Sequence, residues 1–177
     1  MRPRALFLAA GILAALGAAL PSMPQDGPPG FEFVKRIFVA AGTPWSDTRL
    51  DVKEGEEFYF QASGTISLQK DNPVASCGPE GMDLRTMRQP LTDRNLGALL
   101  GRVREKVEVV EDKQTKETFT REYGEAFYVG SEGWLTVMVA GRLQFGVNDN
   151  LSTDNDGGFE VRIFKKKAAG RPLGSAG

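Results

Sequence analysis

Leu143-Gln144-Phe145-Gly146-Val147 leads into Asn148-Asp149-Asn150-Leu151-Ser152-Thr153-Asp154-Asn155-Asp156-Gly157-Gly158, and that into Phe159-Glu160-Val161-Arg162-Ile163. On both flanks apolar residues fall at every second position, the period of a half-buried strand. The segment between them packs three aspartates and three asparagines into eleven residues. Oxygen donors crowded between two rigid strands suit a hard cation such as Ca²⁺, which takes roughly 6–8 oxygens and tolerates irregular geometry. Carboxylates this close repel one another unless a cation sits among them. The other reading is a solvated turn, because Asn, Asp and Gly are also the ordinary turn residues. An EF-hand does not fit. With Ser152, Asp154, Asp156 and Gly157 at its first, third, fifth and sixth positions, Ile163 falls where a bidentate Glu is required, and strands stand where helices should.

Outward from this stretch the same alternation recurs. Phe31, Phe33, Ile37 and Val39 mark a first strand, and Ala41-Gly42-Thr43-Pro44 turns the chain. Leu50 and Val52 alternate in a second, before the turn Lys53-Glu54-Gly55-Glu56. Phe58, Phe60 and Ala62 alternate with Tyr59 and Gln61 in a third, which Gly64 is placed to interrupt with a bulge. Residues 69 to 96 form a long polar connection, and a connection of this length in a compact domain is generally functional. Strand character resumes at Gly97 to Val103. A hairpin is expected from Val107 to Val110 and Thr118 to Tyr123, followed by short strands at Phe127 to Gly130 and Trp134 to Ala140. No segment keeps a helical period, so the fold predicted is an all-β antiparallel sandwich. Trp45 and Trp134 are read as core or sheet-face residues rather than sugar platforms.

Composition bounds the function. The 177 residues suit one domain plus a leader. Met1-Arg2-Pro3-Arg4 and the apolar run from Ala5 to Leu20 read as a secretory signal peptide over 1–19, cleaved after Ala19. A flexible linker at 20–30, a folded domain at 31–166 and a disordered tail at 167–177 follow. The apolar run falls short of the ~20 residues of a spanning helix, so no stable membrane anchor is expected. The location expected is secreted, periplasmic or cell-envelope. Lys and Arg number 22 against 23 Asp and Glu, a balance without the basic footprint of a nucleic-acid binder. Cys77 is the single cysteine, so no intramolecular disulfide forms. Histidine is absent, which excludes Ser/His/Asp and Cys/His catalysis and the usual zinc sites.

Four pieces in order resemble the PA-IL-like (LecA-type) galactose-binding lectin family: Phe58-Tyr59-Phe60-Gln61-Ala62-Ser63-Gly64, Gly78-Pro79-Glu80-Gly81, Gly97-Ala98-Leu99-Leu100-Gly101-Arg102-Val103, and Asn148-Asp149-Asn150 with Asp154 to Ile163. They are similar to the family's A-A-G, G-P-x-G, G-A-L-x-x-x-I and N-D…N-N-S-G-S-F-x-V-x-I segments. The resemblance spans Phe33 to Ile163 and implies a jelly-roll-like, galactose-binding-domain-like β-sandwich with one Ca²⁺ at its edge. By position, Asp149, Asp154 and Asn155 match side-chain ligands of that ion, Asn150 and Leu68 match backbone-carbonyl ligands, and Leu151 or Ser152 supplies a further carbonyl.

What the resemblance implies for function is a calcium-dependent lectin, in which two neighbouring sugar hydroxyls sit directly on the ion. Asp149 and Asn155 then also touch the sugar. The family's best-known member adds a His and a Gln from the long loop, but this chain has no His. Asp83, Arg85 and Gln89 stand in that region as the candidate sugar-binding residues. The partner expected is galactose or another sugar with suitable vicinal hydroxyls, and a homo-oligomer is consistent with weak sites that rely on assembly. The alternative is a calcium-stabilised structural module of an envelope or extracellular protein that binds no sugar. An enzyme is not expected. Asp83, Asp149 and Asp154 offer a glycosidase-like carboxylate pair, but two of them are better used as metal ligands.

Overall fold

The computed structural model describes residues 27–168 except 88, 112, 113, 115 and 117. The leader at 1–19, residues 20–26 of the linker and residues 169–177 of the tail lie outside the described residues. Eleven strands follow one another: β1 Phe31–Ala40, β2 Ser46–Val52, β3 Glu57–Ser67, β4 Ser76–Cys77, β5 Leu99–Arg104, β6 Lys106–Glu111, β7 Thr118–Tyr123, β8 Ala126–Tyr128, β9 Glu132–Thr136, β10 Gly141–Val147 and β11 Asp156–Lys166. Single 3₁₀ turns lie at Pro73–Ala75 and Ser152–Asp154. Among the described residues no helix is long and apolar enough to cross a membrane. The fold is an antiparallel β-sandwich, as expected.

One sheet runs β1-β11-β3-β4, with β9 also paired to β3. The second runs β2-β10-β5-β8, and β6 and β7 form a separate hairpin. The alternating positions of β3, β10 and β11 meet between the sheets. Phe58, Phe60, Ala62, Leu143, Phe145, Phe159, Val161 and Ile163 are all buried there. Phe60 from the first sheet meets Phe145 from the second edge-to-face at 5.2 Å, the arrangement favoured by the opposite charge of ring edge and ring face. Burying one such side chain stabilises the fold by about 1.5–3 kcal/mol.

Three details depart from the sequence expectations. Gly64 causes no bulge: β3 pairs with β11 without a shift from Ser67 to Phe58. Its φ of +115° instead brings it so close to the Gly158 carbonyl that a Cβ would lie 2.6 Å away. The strand expected to reach Ala140 stops at Thr136, because Thr136 pairs with Glu57, the first residue of β3. Beyond it Val137 bonds to the turn ahead of β3, donating to Glu56 O and accepting from Gly55 N, both at 2.8 Å. Register shifts lie instead in β1, between Phe33 and Lys35, and in β2, where Leu143 pairs with Leu50 and the next residue, Gln144, with Asp47. There the buried Thr48 hydroxyl donates to the Leu143 carbonyl at 2.7 Å.

Candidate functional site

The loop between β10 and β11 crosses from the centre of one sheet to the centre of the other at one end of the sandwich. Asn148 starts it and is fully buried. Its backbone N–H donates to Ala98 O at 2.8 Å and its carbonyl accepts from Gly97 N at 3.1 Å, which extends the β10–β5 pairing by one step. Its side chain reaches into the long connection. Oδ1 accepts from Leu91 N at 2.8 Å, and Nδ2 donates to Leu91 O and Asn95 O, both at 3.0 Å. The sequence reading placed Asn148 in the cation loop; the structure makes it the staple that joins that loop to residues 91–95.

Asp149 follows directly. Its Oδ1 accepts from Leu151 N at 2.9 Å, and its Oδ2 from Asn155 Nδ2 at 3.1 Å. Asn155 Nδ2 also faces Ala41 O at 3.4 Å. Two acceptors fix the orientation of that amide, since turning it round would set oxygen against oxygen. The other end, Asn155 Oδ1, is buried and has no hydrogen-bond partner. A buried acceptor left unpaired costs about 1–3 kcal/mol, so this atom is the one that asks for a ligand.

Other expected donors converge on the same place. Ser152 is buried, and its carbonyl accepts from Asn155 N at 3.2 Å. A Cβ added to Gly42 would sit 3.5 Å from Asn155 O and 3.7 Å from Ser152 O, so the β1–β2 turn passes close over both carbonyls. Lys70 N donates to Asp154 O at 2.8 Å, which draws the connection holding Leu68 against the loop. The Leu68 side chain packs under Gly97. Asn150 and Asp154 are exposed. Among the described residues no three His, Cys, Asp or Glu side chains come together as a metal cluster. A cation here would rest on Asp149 and Asp154 together with amide and carbonyl oxygens, a donor set that fits Ca²⁺ better than any transition metal.

The sugar candidates divide. Asp83 and Arg85 are exposed in the long connection. Gln89, in contrast, is buried, and its amide is used up by the loop that carries it. Its Nε2 donates to Leu91 O at 2.7 Å and to Arg94 O, and its Oε1 accepts from Thr86 N at 3.0 Å and Thr86 Oγ1 at 3.3 Å. That fills every donor and acceptor position of the side chain. In this arrangement the Gln89 amide shapes the loop.

Glu80, from the Gly78-Pro79-Glu80-Gly81 turn, is a structural residue that the sequence reading did not single out. Its carboxylate accepts from the Ser131 backbone N–H at 2.8 Å, from the Ser131 hydroxyl and from the Tyr128 hydroxyl. Burial works to raise the Glu80 carboxyl, but these hydrogen bonds outweigh it and hold it below the usual glutamate value. Burial and the neighbouring carboxylate push the Tyr128 hydroxyl up to about 12. The Arg94 guanidinium lies 5.1 Å over the Tyr128 ring, so the clamp also touches the long connection. Cys77 is half-buried and free, and burial pushes its thiol up to about 11, which keeps it unreactive. Trp45 is half-buried beneath the Arg102 guanidinium at 4.4 Å, a packing role, whereas Trp134 lies exposed on the outer face of its sheet. A depression lined by Asp51, Arg104 and Arg142 lies at the other end of β10, remote from the Asp149 loop.

A solved structure with this architecture is the N-terminal domain of EclA, a PllA-like lectin. The TM-score is 0.52 at 19% sequence identity, over 75% of this chain and 97% of that one. No protein-family model and no curated protein matches the chain. At this identity the likeness establishes the fold, which is that of a LecA-type lectin domain.

Proposed function

We propose that the chain is an exported, calcium-dependent carbohydrate-binding protein with its site at the Asp149–Asn155 loop. The observation that carries the proposal is the buried, unpartnered Oδ1 of Asn155, the residue whose amide nitrogen donates to the Asp149 carboxylate. Asp149, Asp154 and Asn155 supply side-chain oxygens, and the carbonyls of Leu68, Asn150 and Ser152 complete the donor set. When bound, Ca²⁺ takes sugar hydroxyls in place of water, because its shell is large and tolerant of geometry. With two carboxylates in the set, affinity for the ion falls toward the ~10⁻⁴–10⁻³ M range of extracellular modules. Asp83 and Arg85 flank the sugar, and Gln89 contributes by shaping their loop. The lectin likeness of the fold supports binding rather than catalysis.

A second reading, in which the ion only pins the loop, is favoured by Gln89, whose amide has no hydrogen-bonding capacity left for a sugar. A glycan array probed in Ca²⁺ and again in chelator separates the two. Sugar signals that vanish with chelator support the lectin. A Ca²⁺-induced rise in melting temperature with no glycan signal supports the structural module. No response to Ca²⁺ at all refutes both.

A further inference from the structure

On β11 the inward positions Phe159, Val161 and Ile163 are buried, which leaves Gly158 and Glu160 to face out from the first sheet. Glu160 pairs with Phe38 of β1 on one side and with Ser63 of β3 on the other. Gly158 stands between Ala40 and Thr65 in the next row toward the Asp149 loop. The Phe38 ring leans into that row and lies on Gly158, where a Cβ would collide with the tip of the ring. Gly158 is buried beneath it, although it sits on the outer side of the sheet. The ring itself is 66% exposed, so one side rests on backbone and the other is open to water.

Apolar side chains exposed singly are ordinary, and what sets Phe38 apart is its seat and its surroundings. Arg36 bonds to Glu160 at 3.5 Å beside it, and Ser63 and Thr65 carry hydroxyls across β3. A ring set among carboxylate, guanidinium and hydroxyl groups matches a ligand with a C–H face and a hydroxylated edge, which describes a pyranose. A protein partner is a poorer match, because a protein hot spot needs neighbouring contacts that shut out water. The platform is also continuous with the site already described. Gly158 lies three residues along β11 from Asn155, about 10 Å at the rise of a strand. The exposed Asp156 stands between them. A single sugar held at Asp149 and Asn155 does not cover that distance, whereas the next units of a chain do.

We infer that the outer face at Phe38 is an extension subsite for the second or third sugar of an oligosaccharide whose terminal sugar sits at the Asp149 loop. This rests on the reading of that loop as a calcium-dependent sugar site, and it makes the ligand class an oligosaccharide rather than a free monosaccharide. The test is a glycan array printed with each terminal sugar both as a single residue and at the end of a trisaccharide, read in Ca²⁺ and in chelator. Trisaccharide signals are expected to exceed single-sugar ones. Phe38→Ala and Phe38→Gln are each expected to weaken them about 3- to 10-fold, the worth of one aromatic contact, with single-sugar signals and melting temperature unchanged. Phe38→Tyr keeps the ring and is expected to bind as the parent does. Trisaccharide binding that persists in the Ala and Gln variants overturns the subsite while the calcium-dependent site stands. Equal loss of single-sugar and trisaccharide binding also overturns it, because Phe38 then acts on the terminal site. Phe38-dependent binding that survives chelator overturns the extension from the ion and leaves Phe38 as a separate site. No binding of any sugar overturns the subsite and the lectin reading together.

Discussion

Replacing Asn148 by Ala removes the staple between the Asp149 loop and the long connection. Three hydrogen bonds of 3.0 Å or shorter disappear, one from Leu91 N and two to Leu91 O and Asn95 O. Each contributes a net ~1 kcal/mol, and a partner left unpaired costs up to ~3 kcal/mol if water does not reach it. Leu91 and Asn95 are only half-buried, so water replaces part of the loss. The expected destabilisation is therefore about 2–4 kcal/mol. At roughly 2–4 °C per kcal/mol for a domain of this size, the melting temperature should fall by about 4–16 °C. Urea denaturation gives the free energy, and amide exchange shows where it is lost. Protection should drop at 91–97, while the core strands β3, β10 and β11 weaken only through the global opening. Asn148→Asp is a sharper version, because a carboxylate oxygen then faces the carbonyls of Leu91 and Asn95. A loss below ~0.5 kcal/mol with unchanged exchange at 91–97 would refute the staple.

Further expectations concern the cation, the loop and pH. At a free Ca²⁺ about 100-fold above its dissociation constant, linkage stabilises the fold by about 2.7 kcal/mol, and Asp149→Ala should abolish that increment in a thermal melt. Gln89→Ala should destabilise the chain, because it removes four hydrogen bonds within the loop, whereas Arg85→Ala should leave stability unchanged and alter glycan preference; paired melts and arrays check both. Glu80 has a folded-state pKa below its unfolded one, so its contribution is complete above the unfolded value of about 4.3 and is lost as pH falls through the folded value. Glu80→Gln should flatten that part of the acid limb in a pH series of urea midpoints. An unchanged acid limb would remove the clamp as its source.

The fold was legible because alternation is a local signal. Phe58, Phe60, Ala62, Phe159, Val161 and Ile163 each announce the side they bury, and the sheets follow from packing those sides together. What strands do to one another across the sheet is not local. The outer-face row of rings Phe33, Phe164, Tyr59 and Trp134 depends on three separate registers, and none of them is written in any one strand. Phe164 illustrates the point: it is buried on the outward side because the segment around Gly27 lies on it. The two-residue strand β4 is too short to show any period.

The site divides in the same way. Asn148, Gln89 and Asn155 are three buried amides in polar loops, and by residue type nothing separates them. Each must satisfy its donors and acceptors from whatever the fold brings near. For Asn148 the fold brings Leu91 and Asn95, and for Gln89 it brings Thr86, Leu91 and Arg94. Both are satisfied and act as structure. For Asn155 it brings Ala41 and Asp149 to the amide hydrogens and nothing to the oxygen. Sequence alone can mark a loop as rich in oxygen donors. It cannot say which oxygens the chain consumes in folding and which it leaves over, because that count depends on residues up to 114 positions away. The atom left over belongs to the amide whose nitrogen holds the Asp149 carboxylate, and that is why the cation we propose is centred on Asp149 and Asn155 rather than spread evenly over the loop.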